Sequence, residues 1–246
     1  MRTLKALYNG EIVNRKDIQI DIEDRGYQFG DAIYEVIGVY NGKPFNVEKH
    51  LNRFQSSARK LSIPFIYDPK ALEEKIEILR SSNGLENGMI YLQMSRGVAP
   101  RTHHFPESIT FPVLVGYTRE AARPTDKQEN GVHCILAEDI RWLRCDIKTV
   151  NLLGSVLAKE EAIRQNCHEA ILHRGNVITE GSSTNVFIVK NEVLFTHPAN
   201  HYILNGITRT VVLEICQQRQ VPVVERTFTK DQLLEADEVV ITGTYG

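Results

Sequence analysis

Lys148 stands in the stretch Arg141-Trp142-Leu143-Arg144-Cys145-Asp146-Ile147-Lys148-Thr149-Val150-Asn151, just ahead of a strong helical pattern. Such a lysine is either a solvated loop residue or a reactive amine. Arg141 and Arg144 nearby, with partial burial, would ease deprotonation and favour the amine. Glu180 lies in Ile178-Thr179-Glu180-Gly181-Ser182-Ser183-Thr184-Asn185, between two strand patterns. The Gly-Ser-Ser run reads as a turn, so Glu180 is either an exposed turn residue or a carboxylate that holds a proton on a cofactor ring nitrogen. Gly206-Ile207-Thr208-Arg209 opens a helix, where unpaired N–H groups and the helix dipole suit an anion, although water or a capping side chain satisfies most helix starts. Arg53, on a helix with Leu51 and Phe54, could reach a phosphate or lie at the surface. Arg101-Thr102-His103-His104 follows a strand through Gly97 and Pro100. A loop arginine beside histidines can clamp a carboxylate with charge-assisted hydrogen bonds, or be ordinary surface.

Other chemistries lack their signatures. His103 and His104 are adjacent, and neither they nor His50, His133, His168, His173, His197 and His201 fall at a metal-ligand spacing, so no metal is expected. GxGxxG, P-loop and GxSxG motifs are absent, which removes the main support for dinucleotide, nucleoside-triphosphate and serine-hydrolase readings.

The elements that must position these groups show as periodicity. Leu4 to Tyr8, the turn Asn9-Gly10 and Glu11 to Val13 predict a hairpin. A strand is expected from Ala32 to Tyr40, ending at Asn41-Gly42. Val47, Leu51, Phe54, Ala58 and Leu61 recur at helical spacing, as do Leu72, Ile76 and Leu79 in a second helix. Strands are expected over Met89 to Gly97 and Phe111 to Thr118. Beyond them, strands over Val132 to Ala137, Glu169 to His173, Asn185 to Val189, Val193 to Thr196 and Val239 to Thr242 alternate with two helices. One starts near Asn151 and is expected to bury Leu152, Leu153, Val156, Leu157 and Ile163; the other starts near Gly206 and is expected to bury Ile207, Val211 and Ile215. The polar stretch from Arg119 to Gly131 predicts a linker, giving domains 1–118 and 132–246 around the linker 119–131, in an α/β or α+β enzyme with its site between domains.

The chain has 246 residues, 42% hydrophobic and 24% charged, with a formal net charge of −2. That balance supports a folded core and gives no basic field for nucleic acid or an anionic membrane, so a small-molecule substrate is expected. Cys134, Cys145, Cys167 and Cys216 are scattered without CxxC spacing, which fits reduced thiols in a cytoplasmic protein. No run is apolar and long enough to predict a membrane span, and the start carries no targeting pattern.

Taken together, the segments resemble the fold-type IV pyridoxal-phosphate enzymes, and within them the bacterial D-amino acid aminotransferases. The likeness runs through Asp24-Arg25-Gly26-Tyr27-Gln28-Phe29-Gly30-Asp31 with Tyr34-Glu35, then Gly97-Val98-Ala99-Pro100-Arg101-Thr102-His103. It continues through the lysine segment from Asp139 to Gly154, Thr179 to Phe187, and Gly206 to Arg209. Ordered motifs over nearly the whole chain are specific where each alone is weak. The resemblance implies an α/β N-terminal domain and a larger C-terminal domain, with pyridoxal 5'-phosphate at their junction and the C-terminal domain continuing beyond Gly246. Position by position, it implies that Lys148 carries the cofactor as a Schiff base and that Glu180 partners the pyridine nitrogen. Arg53, Ile207, Thr208 and Thr244 match phosphate-holding positions, and Leu204 a residue packed near the ring. Tyr34, Arg101 and His103 match the trap for the substrate α-carboxylate, with Arg101 and His103 supplied by the other subunit of a homodimer. The implied reaction moves the amino group of a D-amino acid such as D-alanine to a 2-oxo acid such as 2-oxoglutarate, in ping-pong fashion. Alternatives are a branched-chain L-amino acid aminotransferase, an aminodeoxychorismate lyase, or a non-catalytic dimeric binding protein.

Overall fold

The computed structural model describes residues 4–107 and 110–244; the chain end at Gly246 lies outside them. The chain forms two compact units. One runs to Arg123 and includes Lys148–Asn151; the other comprises Pro124–Ile147 and the chain from Leu152 onward.

In the first unit, Asn9 (φ 48) and Gly10 (φ 88) take the positive φ values that a two-residue hairpin turn requires. They join β1 (Lys5–Tyr8) to β2 (Glu11–Asn14), with Tyr8 opposite Glu11. A short helix, α1 (Arg25–Phe29), follows. It is absent from the sequence expectation because five residues are too few to show an apolar period. Asp24 caps it by accepting from the Gly26 N–H, and Gly30 (φ 68) ends it. Next come β3 (Ala32–Tyr40), β4 (Lys43–Pro44), α2 (Val47–Lys60), α3 (Pro69–Asn83), β5 (Gly88–Ser95) and β6 (Leu114–Glu120). The strands make one antiparallel sheet, in the order β2-β1-β6-β5-β3-β4. Leu51, Phe54 and Ala58 of α2 and Leu72, Ile76 and Leu79 of α3 pack with Ile33, Ile37, Ile90 and Leu92 of the sheet, as the helical spacing predicts. Burial of each large side chain there is worth about 1.5–3 kcal/mol. β5 stops short of Gly97, where the expected strand ran. Gly97 has φ 103, and a Cβ on it would strike the Phe111 carbonyl. β6 correspondingly begins at Leu114, three residues after the expected start.

The second unit opens with α4 (Thr125–Asn130), inside the segment expected as linker. β7 (Cys134–Glu138), α5 (Leu153–Arg164) and β8 (Glu169–Arg174) follow, and β7 and β8 pair in parallel. β9 (Val177–Gly181) returns antiparallel to β8. Then come β10 (Asn185–Lys190), β11 (Val193–Thr196), α6 (Ile207–Arg219), β12 (Val223–Glu225), α7 (Lys230–Leu234) and β13 (Glu238–Thr242). They complete a sheet ordered β12-β11-β10-β13 beside the three-stranded β7-β8-β9. Ile171, Ile178, Val186, Ile188, Phe228 and Leu233 form one core.

α5 corrects an expectation. Leu152, Leu153, Val156, Leu157 and Ile163 are exposed, Leu153 at 71%, whereas Ala158 and Ala162 are buried. The small alanine methyls pack with Ala170 and Leu172 of β8 and with Ile135 and Ala137 of β7, which leaves the larger side chains outside. Likewise on α6, Ile207 is buried but Val211 is only partly so and Ile215 is exposed; Arg209 and Cys216 occupy the inner face instead. No described helix is long and apolar enough to cross a membrane.

Candidate active site

The lysine segment is laid along β3 by backbone bonds. The Tyr34 N–H donates to the Lys148 carbonyl (3.0 Å), the Val150 N–H to the Ala32 carbonyl (3.2 Å), and Ile33 bridges to Thr149. From α2, Ser57 Oγ accepts from the Lys148 N–H at 3.3 Å. So anchored, Lys148 places Nζ 4.3 Å from the centre of the Tyr34 ring, a cation–π distance. Tyr34 in turn stacks on Tyr91, centroid to centroid 5.7 Å. The two arginines that the sequence sets near the lysine have carboxylate partners: Arg141 pairs with Asp139 and Glu180, and exposed Arg144 with Asp146.

One residue further along β3 lies Glu35, wholly buried. Its Oε1 accepts from Arg53 Nε (2.7 Å) and its Oε2 from Arg53 Nη2 (2.9 Å), with His50 Nδ1 2.7 Å from Oε2. Burial by itself would push this carboxyl up, but Arg53, His50 and Lys148 outweigh it and draw it down to about 2. Because an ionised carboxylate only accepts, the facing His50 nitrogen carries the proton. Arg53, expected from the sequence as a phosphate ligand, is thereby held in place at its Nε and Nη2. Glu35 and His50 were missed as site residues. The burial of β3 on both faces was their signal: a glutamate inside an apolar strand requires a partner.

Arg101 and His103 lie on the loop between β5 and β6, both exposed, with Phe29 between them. The Arg101 guanidinium is 5.0 Å from the Phe29 ring centre, and the His103 ring meets Phe29 edge-on at 5.7 Å.

In the second unit, Glu180 sits on β9 and is buried, not in an exposed turn. Oε1 accepts from Arg141 Nη1 (2.6 Å), Oε2 from Asn185 Nδ2 (2.9 Å), and both from the Leu204 N–H (3.2 and 3.1 Å). Burial pushes the Glu180 carboxyl up to about 7, against the pull of Arg141 and the Leu204 N–H and with the help of anionic Asp139. Arg141 is shared: its Nε and Nη2 bind Asp139, whose own carboxyl is held below its ordinary value, burial opposing and Arg141 and Arg174 prevailing. Leu204 thus meets Glu180 through its backbone. Ser182, Ser183 and Thr184, which follow Glu180, all donate to the buried carboxylate of Glu169. Asn185 and Glu169 had no role in the sequence reading, and Arg141 entered it only as a neighbour of Lys148, not as a partner of Glu180. Arg141 meets Glu180 39 positions away and Glu169 meets its three hydroxyl partners 13 to 15 positions away, so neither pairing shows in a local pattern.

At the start of α6, Gly206 offers no side-chain cap, so the first-turn N–H groups of Ile207 and Thr208 keep their capacity for an anion. A Cβ on Gly206 would collide with Asn185 Oδ1, so the glycine lets Asn185 join this helix start to Glu180. Thr208 Oγ1 donates to the Gly243 carbonyl at 3.0 Å, tying the helix to the chain just before Thr244. Thr242 Oγ1 is buried without a hydrogen-bond partner.

An uncapped helix start, an orphaned hydroxyl and a buried carboxylate with a raised pKa fit a phosphorylated, nitrogen-containing ring. An amine seated on tyrosine fits a carbonyl carbon. Among the described residues, no group of three His, Cys, Asp or Glu could hold a metal ion.

Residues 32–246 match the protein family described as amino-transferase class IV. Over 240 residues the chain is 49% identical to a D-alanine aminotransferase of Staphylococcus epidermidis, covering 98% of this chain and 85% of that one. It is 44% identical over 241 residues to a D-alanine aminotransferase of Bacillus licheniformis, again covering 98% and 85%. The solved structure of a T.th. branched-chain amino acid aminotransferase, complexed with N-(5'-phosphopyridoxyl)-L-glutamate, superimposes with a TM-score of 0.90. Its identity is 26%, over 100% of this chain and 83% of that one.

Proposed function

We infer, since this chain belongs to the amino-transferase class IV family, that it is a D-amino acid aminotransferase of fold-type IV with pyridoxal 5'-phosphate as its cofactor. The observation that carries the D-reading is the 49% identity to a D-alanine aminotransferase along 98% of the chain, set against 26% to a branched-chain enzyme of the same fold.

When bound, the cofactor supplies a carbonyl carbon that takes the amino group and a ring that accepts the electron pair left at Cα. The protein supplies position and protons. Lys148 would hold the carbonyl carbon and, once displaced by substrate, take the Cα proton and return it one carbon away. Glu180, with its pKa near 7, suits a proton on the ring nitrogen. The α6 start at Ile207 and Thr208, with Arg53 and Thr244, would hold the phosphate. Leu204 would pack near the ring, its N–H steadying Glu180.

Tyr34, Arg101 and His103 would hold the substrate α-carboxylate, with Arg101 and His103 given by the second subunit of a homodimer. Exposed Leu153, Val156 and Leu157 on α5 support a partner that covers them. The four unbridged cysteines support a cytoplasmic location.

With nitrogen and carboxylate both fixed, exchanging enantiomers swaps the hydrogen and the side chain at Cα, and only one hand presents its proton to Lys148. The test is kcat/KM for D- and L-alanine with 2-oxoglutarate. A preference for D-alanine is expected; a preference for L-alanine would move the protein to the branched-chain activity.

A further inference from the structure

The segment Asp24 to Asp31 takes no part in the activity described so far, yet its side chains converge on the loop that carries Arg101 and His103. Asp31 accepts from Arg25 Nε (2.9 Å), Arg96 Nε (2.7 Å) and Arg96 Nη2 (3.0 Å), and the two arginine side chains are almost wholly buried. Arg25 Nη1 then donates to the Thr102 carbonyl at 2.7 Å, between Arg101 and His103. The Arg25 N–H donates to the Gly97 carbonyl, and Asp24 bridges to Val98. Asp24 also accepts from Ser95 Oγ at 2.6 Å, at the end of β5. Gly26 permits this approach, because a Cβ there would stand 2.8 Å from the Ser95 Cβ.

These bonds fix the loop backbone. The side chains of Arg101 and His103 are exposed, and a long arginine has several rotamers to choose from. What restrains them is the Phe29 ring, which has Arg101 at 5.0 Å, His103 edge-on at 5.7 Å and Arg25 at 4.7 Å. Arg25 therefore joins the two levels: one guanidinium holds the loop carbonyl and stacks on the ring that seats the trap.

We propose that Phe29 is the positioning residue for the substrate carboxylate: its ring sets where Arg101 and His103 stand, and the Arg25–Asp31–Arg96 cluster holds that ring in register with their loop. This rests on Arg101 and His103 being the carboxylate trap. It gives the Arg25 to Asp31 segment a part in substrate fit that it plays without touching substrate.

The test uses the holoenzyme with D-alanine and 2-oxoglutarate. Phe29→Leu and the longer, more flexible Phe29→Met remove the ring, Phe29→Tyr keeps it, and Arg101→Leu removes the guanidinium. Both ring-less variants should raise KM for D-alanine about 3- to 30-fold, the range of a lost cation–π contact, with a much smaller change in kcat and the wild-type cofactor absorption spectrum. Phe29→Tyr should restore the wild-type KM. In the Arg101→Leu background, Phe29→Leu should raise KM by a smaller factor than it does alone, since the part that acts through Arg101 is already lost and only the part through His103 remains. If the leucine variant does not fold, the methionine variant carries the test. An unchanged KM in the ring-less variants while Arg101→Leu raises it, or effects that multiply in full, would overturn the role of Phe29 and leave the trap standing. An unchanged KM in Arg101→Leu would overturn the trap itself, and this role with it.

Discussion

Glu35 in the first unit and Glu180 in the second are both buried glutamates facing an arginine, yet they stand on opposite sides of the usual carboxylate range, at about 2 and about 7. Burial raises both, so it does not decide the sign. The difference lies in how the positive charge is divided. Arg53 gives two nitrogens to Glu35, which also has His50 and feels Lys148. Arg141 gives one nitrogen to Glu180 and two to Asp139, and Asp139 then adds a negative charge nearby. The other donors to Glu180, Asn185 and the Leu204 N–H, are neutral. Two guanidinium nitrogens with His50 and Lys148 beside them make a permanent anion, which suits an anchor; one guanidinium nitrogen, with a second carboxylate on the same arginine, leaves a carboxyl that can exchange a proton near neutral pH, which suits a partner for a ring nitrogen.

The largest expected effect removes the reacting amine beside the anchor. Lys148→Ala should cost roughly 10⁴-fold or more in transamination of D-alanine and abolish the visible absorption of bound cofactor. Wild-type turnover in that variant would detach the reaction from this lysine and from the first unit's part in the comparison.

Next comes the exchangeable carboxyl. Glu180→Gln keeps the size and several hydrogen bonds but loses the charge, and should slow the first half-reaction by about 10²–10³-fold while pyridoxal phosphate stays bound, the scale of one lost electrostatic contact at a reacting system. Stopped-flow mixing with D-alanine reads this step alone. A wild-type rate would show that Glu180 does not serve the ring.

The anchor should act on stability more than on chemistry. Glu35→Gln leaves Arg53 without its buried counter-charge and should cost about 3 kcal/mol in urea unfolding at neutral pH. The Glu35 pKa is lower in the folded than in the unfolded state, so its stabilisation is present above about 4.5 and lost as pH falls toward about 2. Unfolding measured through that window should therefore show a shallower acid loss in Glu35→Gln. An equal slope in both proteins would mean that Glu35 is not the anion inferred from its contacts.

Local patterns made much of this architecture legible. Asn9-Gly10 marks its hairpin because few other pairs take two positive φ values, and α2 shows its buried face in the spacing of Leu51, Phe54 and Ala58. Lys148 and Glu180 stood out only when ordered motifs were taken together. The groups that set their environment did not, because Glu35 and His50, or Asp139, Arg141 and Glu180, meet only when strands pair and helices pack. α5 misled for a related reason: its leucines outweigh its alanines in any count of hydrophobicity, but packing selected the alanine face. Phe29 reads as one more aromatic until Arg25, Arg101 and His103 are seen around it.

Arg141→Gln should act most mildly, because it alters the arginine that bridges Glu180 and Asp139 and leaves both glutamates in place. In Arg141→Gln, Glu180 loses a guanidinium that lowers its pKa, while its burial and the charge of Asp139 remain. Its carboxyl should rise further above about 7, by about one unit, which corresponds to about 1.4 kcal/mol. The acid limb of the kcat/KM profile for D-alanine should then move to higher pH by a similar amount, since ionised Glu180 would need a more alkaline solution. Stability carries the opposite sign to that of Glu35. A folded pKa raised above the unfolded value gives a contribution that is complete below about 4.5 and lost as pH rises through about 7. In cofactor-free protein that loss should extend to higher pH in Arg141→Gln and be missing in Glu180→Gln. The limb and the unfolding curve are independent readouts of one carboxyl. If the limb stays in place in Arg141→Gln, the sharing of Arg141 does not set the charge on Glu180, and the contrast with Glu35 needs another cause.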